Sequence, residues 1–550
     1  MYRIFARIIN KKIQNWMEDQ EILGEMQHGY RTGKRGDDCL FIITAAIEMA
    51  RAQKKGLLAT YLDCTKAYDK VCRAKLWAAL DNLGLHENTI ELLKILYRDN
   101  TVILKTREGE SKRVTTPSGL KQGCALSPTL FLLYIADLEE RLLNSEKGFE
   151  VRVSKNIFAS RKEQFRKIPG LLFADDILLL SHSWKDMETL LEITSNFGEE
   201  KNLIFNPAKS AVVVYSSDTV DKERKVKIQG KEIPRSNEYK YLGITLGDGP
   251  KYLETQEKIW SEKARKAIQK LHAKALWKFN RFETSKIQWK ATGVPTLTYC
   301  NTVTVMSPLL RKQIETAQRQ AAKWALGNPA FNIANEFLEG ELGWATFEER
   351  EARSKLTYFK RVENMPNNKW PKMVYQSAKI NNIMLAAVDR LGKLKQKFNC
   401  QDETIEESLG GQASTNTYKK YVYNKIDEVV LEEWKDNMES KSSLTRYRKF
   451  KQKRGTIEHI YDNSRGSTLL AEARAGFLKT RKFRSRFEEI DPHCSVCGRV
   501  ETLEHVILKC HEVASSDDEI LIKLGLHEES TGRIIEETKR TLERWEKRSK

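Results

Sequence analysis

The sequence predicts an α+β fold, and three observations carry that prediction. Short apolar runs with strand character and amphipathic helical stretches follow one another over the first 250 residues without regular alternation, which argues against a doubly wound sheet. From Leu253 to about residue 389 helical periodicity dominates. At 550 residues the chain is too long for a single core, so two to four domains are expected.

Taken in order, residues 1–20 place Ile4, Phe5, Ile8, Ile9, Ile13 and Trp16 at a helical period. Residues 27–38 are rich in Gly and Arg and read as a loop, 39–51 as a helix and 57–62 as a strand. Two helices, 74–83 and 87–97, are separated by Gly84, and 101–105 with 112–115 form a hairpin through Gly109. A long apolar helix is expected over 130–143, then a strand pair around Asp175 and Asp176, then a helix over 187–199 with Asp186 near its cap. Strands follow at 209–215, 225–229 and 241–246. In the helical part a break is expected at Gly293-Val294-Pro295, and Ile314, Ala317, Gln318, Ala321, Ala322 and Trp324 make a mostly apolar stripe. Residues 390–470 are polar and weakly patterned and include the small, polar stretch Gly411-Gln412-Ala413-Ser414; no internal repeat is evident.

Hydrophobic residues make up 40% of the chain, enough to fold rather than stay disordered. The net charge of +19 serves solubility, but basic residues also gather between Arg446 and Arg486, which favours partners rich in phosphates. Nine cysteines, most of them isolated, form a reduced, intracellular pattern and exclude a disulfide scaffold. The N-terminus is too short and too soon charged for a signal peptide, and no uncharged run reaches bilayer length, so no membrane partner is expected.

The chemistry centres on acidic residues in apolar settings. Asp175 and Asp176 interrupt the run from Gly170 to Leu180, and Asp63 ends the apolar stretch 56–62. Burying one carboxylate costs about several kcal/mol unless a cation or donors offset it, and two adjacent ones also repel. Two separate segments that both drive Asp into such surroundings point to a shared divalent-metal site of the kind that moves a phosphoryl group. Between them, Gly119-Leu120-Lys121-Gln122-Gly123 runs to Ser127-Pro128, a good helix start, and its glycines permit close backbone approach.

These three segments, Leu62-Asp63-Cys64-Thr65-Lys66-Ala67-Tyr68-Asp69, Gly119 to Pro128 and Phe173-Ala174-Asp175-Asp176, fall in the order and spacing of reverse transcriptase motifs A, B and C. The chain resembles the reverse transcriptase of a non-LTR (LINE-type) retrotransposon. Gln27-His28-Gly29-Tyr30-Arg31-Thr32-Gly33-Lys34-Arg35 resembles the family's fingers motif, Asn206-Pro207-Ala208-Lys209-Ser210 its motif D, and Tyr241-Leu242-Gly243-Ile244 its motif E. The resemblance is continuous to about residue 250, with further similarity towards the C-terminus, where Gln288 to Tyr299 resembles the entry to the thumb.

That resemblance implies a right-hand polymerase: fingers and palm with an antiparallel sheet over 1–250, a helical thumb over 251–345 and a connecting helical region over 346–470. It implies that Asp63 and Asp175 bind two Mg²⁺ ions with Asp176 completing the set, for attack of a primer 3′-hydroxyl on a dNTP over an RNA template. Tyr68 takes the steric-gate position, with a core aromatic as the plainer role. Gln122 and Gly123 would contact template or nucleotide, Lys209 the leaving phosphates, and Arg31 and Arg35 the triphosphate; a loop cap and ordinary surface cations are the alternatives. Asp69 is better placed to cap the following helix. The family's Arg-Pro-Ile strand and its upstream nuclease are missing, so the chain is expected to be truncated at its N-terminus and not to nick its target. A noncatalytic nucleic-acid-binding remnant and an RNA-independent DNA polymerase are the competing readings.

A second pattern stands at Cys494, Cys497, His505 and Cys510, spaced C-x2-C-x7-H-x4-C, which suits one tetrahedral Zn²⁺. It resembles the C-terminal CCHC-type finger of the same elements, with Val506-Ile507-Leu508 as a small core and His511 as a bystander. Just upstream, Arg474, Lys479, Arg481, Lys482, Arg484 and Arg486 surround Phe477, Phe483 and Phe487, an arrangement for RNA or DNA, or else a solvated helix face. The basic segment and finger are expected over 471–515 and a charged helical tail over 516–550. The expected partners are thus RNA template, DNA primer or target, and dNTPs; the resemblance implies nucleus and cytoplasm, and nothing in the sequence sets the oligomeric state.

Overall fold

The computed structural model describes residues 2–98, 100–103, 105–107, 109–156, 158–216, 224–272, 279–329, 332–401, 414–455, 460–508, 510 and 517–549. Helices and antiparallel strands are mixed, in keeping with the expected α+β class. The chain divides into two compact units, Met1–Gln256 with Arg361–Asp389, and Glu257–Lys360 with Arg390–Lys550.

The first unit opens on α1 (Tyr2–Asp19) and α2 (Gly36–Ala52) and enters β1 (Leu57–Leu62). Helices α3 (Arg73–Asn82) and α4 (Glu87–Tyr97) precede four short exposed strands, β2 (Thr101–Val102), β3 (Lys105–Thr106), β4 (Gly109–Glu110) and β5 (Val114–Thr115). Pairing of β2 with β5 and β3 with β4 makes the predicted hairpin. Then come α5 (Leu126–Tyr134), α6 (Asp137–Asn144), β6 (Phe149–Arg152), the short α7 (Arg161–Gln164) and β7 (Phe165–Ile168). The acidic hairpin is β8 (Gly170–Phe173) and β9 (Asp176–Ser181). Helix α8 (Trp184–Glu200), capped by Ser183, leads to β10 (Ala211–Ser216), β11 (Val226–Ile228), β12 (Lys231–Ile233), β13 (Glu238–Tyr241) and β14 (Ile244–Gly247).

The central sheet runs β10-β1-β9-β8, antiparallel throughout. Every residue of β1 is buried, because both faces of the sheet are covered. On one face Thr60 meets Met187 of α8 at 3.1 Å; on the other Tyr61 stacks on Tyr239 with ring centroids 4.3 Å apart. Leu171, Leu172, Ile177, Leu178, Leu179 and Leu180 are all buried here. Each such side chain contributes about 1.5–3 kcal/mol, which lets the same strands carry mutually repelling carboxylates at their tip.

Four sequence expectations are corrected. The helix over 130–143 is two helices: α5 is buried almost all round, whereas α6 buries only Leu138, Glu139 and Leu142, and the turn at Ile135 and Ala136 redirects the chain so that Glu140 reaches solvent. The strand over 241–246 is a hairpin, because Leu242 and Gly243 at φ +44° and +84° supply the two left-handed residues of a type I′ turn. No break occurs at Gly293-Val294-Pro295: a π-turn, Trp289–Gly293, feeds directly into the helix Val294–Thr298. Pro295 falls in that helix's first turn, where its fixed φ suits the helix.

The fourth correction concerns the weak patterning read over residues 390–470: within the expected connecting helical region lies the 25-residue helix Thr415–Glu439. It buries Tyr418, Val422, Ile426, Val430, Trp434 and Met438, a strict four-residue stripe, and Ser414 caps its start; residues 411–413 lie outside the described residues. In the helix Pro308–Ala325 the predicted stripe is buried except for Trp324, which stays partly exposed and stacks on His272. Among the described residues no helix is long and apolar enough to cross a membrane.

Candidate functional site

The register of the central sheet brings the two acidic segments together. Leu62, the last residue of β1, pairs with Ile177 of β9. The next residues outward on these antiparallel neighbours are Asp63 and Asp176, so the two acidic segments end side by side at one end of the sheet. Asp175 shares the two-residue turn between Phe173 and Asp176 with Ala174, which holds φ at +58°.

The electrostatics report the same convergence. Partial desolvation, then the charges of Asp175 and Asp63, push Asp176 up to about 6. Asp175 is raised too, by desolvation first and then by Asp63, against the pull of its own backbone N–H. Burial, then Asp175, Asp63 and Asp176, push the neighbouring Cys64 thiol up as well. Acidic groups that resist ionisation because they are partly buried and crowd one another fit a hard divalent cation, whose charge and appetite for oxygen ligands remove the conflict.

Asp63 is held from behind. Its N–H donates to Ser210 Oγ at 3.1 Å, its carbonyl accepts from Asn206 N–H at 2.8 Å, and Ser210 Oγ donates to the Asn206 carbonyl at 2.8 Å. The acidic turn is held by Gln27, 2% exposed, whose Oε1 accepts from Ala174 N–H and Gly29 N–H, both at 2.9 Å. Neither Gln27 nor Ser210 stood out in the sequence. Side chains that bond backbone leave no periodic signal, and only their place inside the segments resembling the fingers motif and motif D could have singled them out.

The other predicted site residues scatter more. Tyr68 stacks on Phe131 at 4.7 Å, and burial, then the charges of Asp175 and Tyr30, raise its pKa above the ordinary value. Together with Gln122 and Gly123 it lines a cleft of about 700 Å³ that also takes in Tyr2, Arg3, Arg7 and Lys121. Gln122 Nε2 donates to Asp69 Oδ1 at 3.2 Å; Asp69 does not cap the following helix, whose N-cap is Cys72. Gly119, at φ +84°, lies so near that a Cβ there would stand 2.7 Å from the Asp69 carbonyl oxygen. Lys209 and Arg35 are exposed. Arg31 is engaged by Glu18, its Nη2 2.8 Å from Oε2, and its side chain is only 5% exposed. It braces the loop that carries Gln27.

In the second unit Cys494, Cys497, His505 and Cys510 place one ligand atom each within 4.8 Å of one another. Cys494 Sγ lies 3.7 Å from Cys510 Sγ, and Cys497 Sγ lies 3.5 Å from His505 Nε2. Bonds of roughly 2.3 Å to sulfur and 2.0–2.1 Å to nitrogen give tetrahedral edges of about this length, so the donor set fits a single tetrahedral ion. The knuckle is local: Cys494 N–H donates to the Arg499 carbonyl, and Gly498 N–H returns to the Cys494 carbonyl. Thr502 caps the helix Leu503–Ile507 that presents His505, and Val506, Ile507 and Leu508 are buried beneath it. His511 lies outside the described residues.

The basic segment upstream is only partly available. Arg474 is buried, pairs with Glu341 at 2.9 Å and donates to the carbonyls of Leu524 and Gly525, so it is a core residue and not a phosphate contact. Lys479, Lys482 and Arg486 are exposed, and Phe487 is 77% exposed beside Phe483, at 5.8 Å between centroids.

Against known proteins, residues 1–246 match the family described as reverse transcriptase (RNA-dependent DNA polymerase). A retrovirus-related Pol polyprotein from type-1 retrotransposable element R2 of Popillia japonica is 30% identical over 39% of this chain and 28% of its own length. The Pol polyprotein from type-2 retrotransposable element R2DM of Drosophila melanogaster is 28% identical over 34% of this chain and 17% of its own length. The probable RNA-directed DNA polymerase from transposon BS of the same fly is 23% identical over 44% and 26%. The chain thus spans about a third or less of the curated relatives it matches. Among solved structures, apo telomerase from Candida Tropicalis aligns over 76% of this chain and 60% of that chain at 13% identity with a TM-score of 0.35, a distant likeness.

Proposed function

We propose that this chain, whose residues 1–246 are a reverse transcriptase domain related to those of non-LTR retrotransposons, is an RNA-directed DNA polymerase that extends a DNA primer on an RNA template. The observation that carries the reading is the meeting of Asp63 with Asp175 and Asp176 at the open end of two neighbouring strands. In a right-hand arrangement, the sheet β10-β1-β9-β8 would be the palm, the segments around α1 and α2 the fingers, and the helices after residue 250 the thumb.

In this reading Asp63 and Asp175 would hold two Mg²⁺ ions with Asp176 completing the set. Bound there, such ions would lower the pKa of the primer hydroxyl and stabilise charge on the attacked phosphate and the departing pyrophosphate. The chain's own groups supply the rest. The Tyr68 ring, backed by Phe131, would lie under the incoming sugar and crowd a 2′-hydroxyl. Gln122, oriented by its bond to Asp69, and the open backbone at Gly123 would face the nucleotide or template. Arg3, Arg7 and Lys121 give the cleft a positive wall for phosphates, while the exposed Lys209 and Arg35 would reach towards the triphosphate. Cys494, Cys497, His505 and Cys510 would hold one Zn²⁺, whose binding energy would fold the C-terminal knuckle. Beside it, Lys479, Lys482 and Arg486 with Phe487 would grip RNA or DNA.

Extension of oligo(dT) on poly(rA) with dTTP and Mg²⁺ tests the reading. Incorporation is expected from the intact chain, falling about a thousandfold or more in Asp175→Asn, since several kcal/mol of charge stabilisation is removed. Retained RNA binding with no incorporation by the intact chain would leave only a nucleic-acid-binding protein.

A further inference from the structure

We infer that Gln27 is a positioning residue that sets the acidic turn, and through it the spacing of Asp175 and Asp176 from Asp63; the inference rests on the polymerase reading above. The loop around Gln27 joins the end of the sheet through a single parallel bridge to Leu172. Leu172 N–H donates to the Met26 carbonyl at 2.9 Å, and His28 N–H donates to the Leu172 carbonyl at 2.8 Å. One residue farther the loop backbone has left the ladder, and the Gln27 side chain takes over. Its Oε1 accepts from Ala174 N–H, and its Nε2 lies 3.5 Å from the Ala174 carbonyl.

The turn needs that help. Ala174 sits at φ +58°, a left-handed conformation that an alanine adopts only when its surroundings impose it. The surroundings press close: a Cβ on Gly29 would stand 2.5 Å from Ala174 N, so the loop lies directly against the turn. Gln27 is itself buried in a braced loop. Its neighbours are fixed by Met26 N–H donating to Glu139 at 2.9 Å, by Lys34 and Lys369 closing on Glu25 at 2.6 and 2.7 Å, and by Arg31 on Glu18. Ala174 is 3% exposed, so removing the amide leaves its N–H with neither side chain nor water. The turn would then relax towards an ordinary conformation and re-aim Asp175 and Asp176.

The test measures ion binding directly, with Mn²⁺ titrated calorimetrically into the full chain, next to primer extension. Gln27→Met keeps volume and loses the hydrogen bonds; Gln27→Asn stays polar but is one methylene too short, and serves if the first variant fails to fold by circular dichroism. Both are expected to weaken Asp175-dependent Mn²⁺ binding about ten- to a hundredfold, the usual effect of losing a partner that orients ligands. They should also speed hydrogen exchange in the peptide that holds the turn. Folded variants that bind Mn²⁺ as tightly as wild type would overturn the inference and leave the polymerase reading intact. Wild-type chain that binds Mn²⁺ but extends no primer would count against the polymerase reading, while a fall in affinity in the Gln27 variants would still support the positioning role.

Discussion

Partial burial, then the charges of Asp175 and Asp63, push Asp176 up to about 6 where three carboxylates crowd together at one strand end. A proton therefore competes with a divalent ion for this group. Apparent Mg²⁺ affinity should rise as pH climbs through about 6, by up to about tenfold per unit below it, and level off above; titrating Mn²⁺ or the Mg²⁺ requirement of extension from pH 5 to 8 checks this. The same crowding predicts that Asp176→Asn, measured in chelator, melts at a higher temperature than wild type although its activity falls. Tyr68→Ala should relax discrimination against ribonucleotides by about ten- to a hundredfold, while Tyr68→Phe, which keeps the ring against Phe131, should not; the ratio of rNTP to dNTP incorporation reads it. At this scale the acidic residues were legible because Asp inside an apolar run is chemically conspicuous. Gln27 and Arg474 were not: the first acts through backbone bonds, and the second meets Glu341, 133 positions away, so nothing nearby marks it as a core ion pair.

Among the elements, the long helix Thr415–Glu439 shows how a real signal can be passed over. Its buried stripe, Tyr418 to Met438 at every fourth position, is one residue wide in a polar stretch, so composition hid what spacing contained. Trp434 anchors it, only 2% exposed with Nε1 donating to the Glu336 carbonyl at 2.8 Å. Trp434→Ala should cost about 3–5 kcal/mol in a urea melt that follows the second unit. The strands were easier to place than their turns. The pairs Ala174–Asp175 and Leu242–Gly243 carry left-handed residues that side-chain patterns do not announce.

For the whole molecule, two compact units predict two unfolding transitions, separable by calorimetry. Chelating a metal from Cys494, Cys497, His505 and Cys510 should speed hydrogen exchange in the knuckle and its helix Leu503–Ile507 and leave the sheet of the first unit untouched. The second unit should also lose stability with rising pH. Burial first, then Glu336 and Glu315 against the pull of Arg319 and Arg454, lifts Glu339 from 4.5 to about 7. Its folded pKa lies above its unfolded one, so the stabilisation is complete below about 4.5 and is lost as pH rises through about 7. Glu339→Gln should flatten that slope and stabilise the unit at pH 8 by on the order of 2 kcal/mol.

The return of Arg361–Asp389 to the first unit has a consequence for how the protein is made. The helix Trp370–Ile380 packs on α2, Arg361 pairs with Asp38, and Lys369 pairs with Glu25. A ribosome that has just released residue 256 has delivered every acidic side chain of the site but not this buttress. The nascent chain must wait for more than a hundred further codons before its first unit can close. A fragment cut at 256 should accordingly come out of cells aggregated, and the same fragment fused through a short linker to 361–389 should come out soluble.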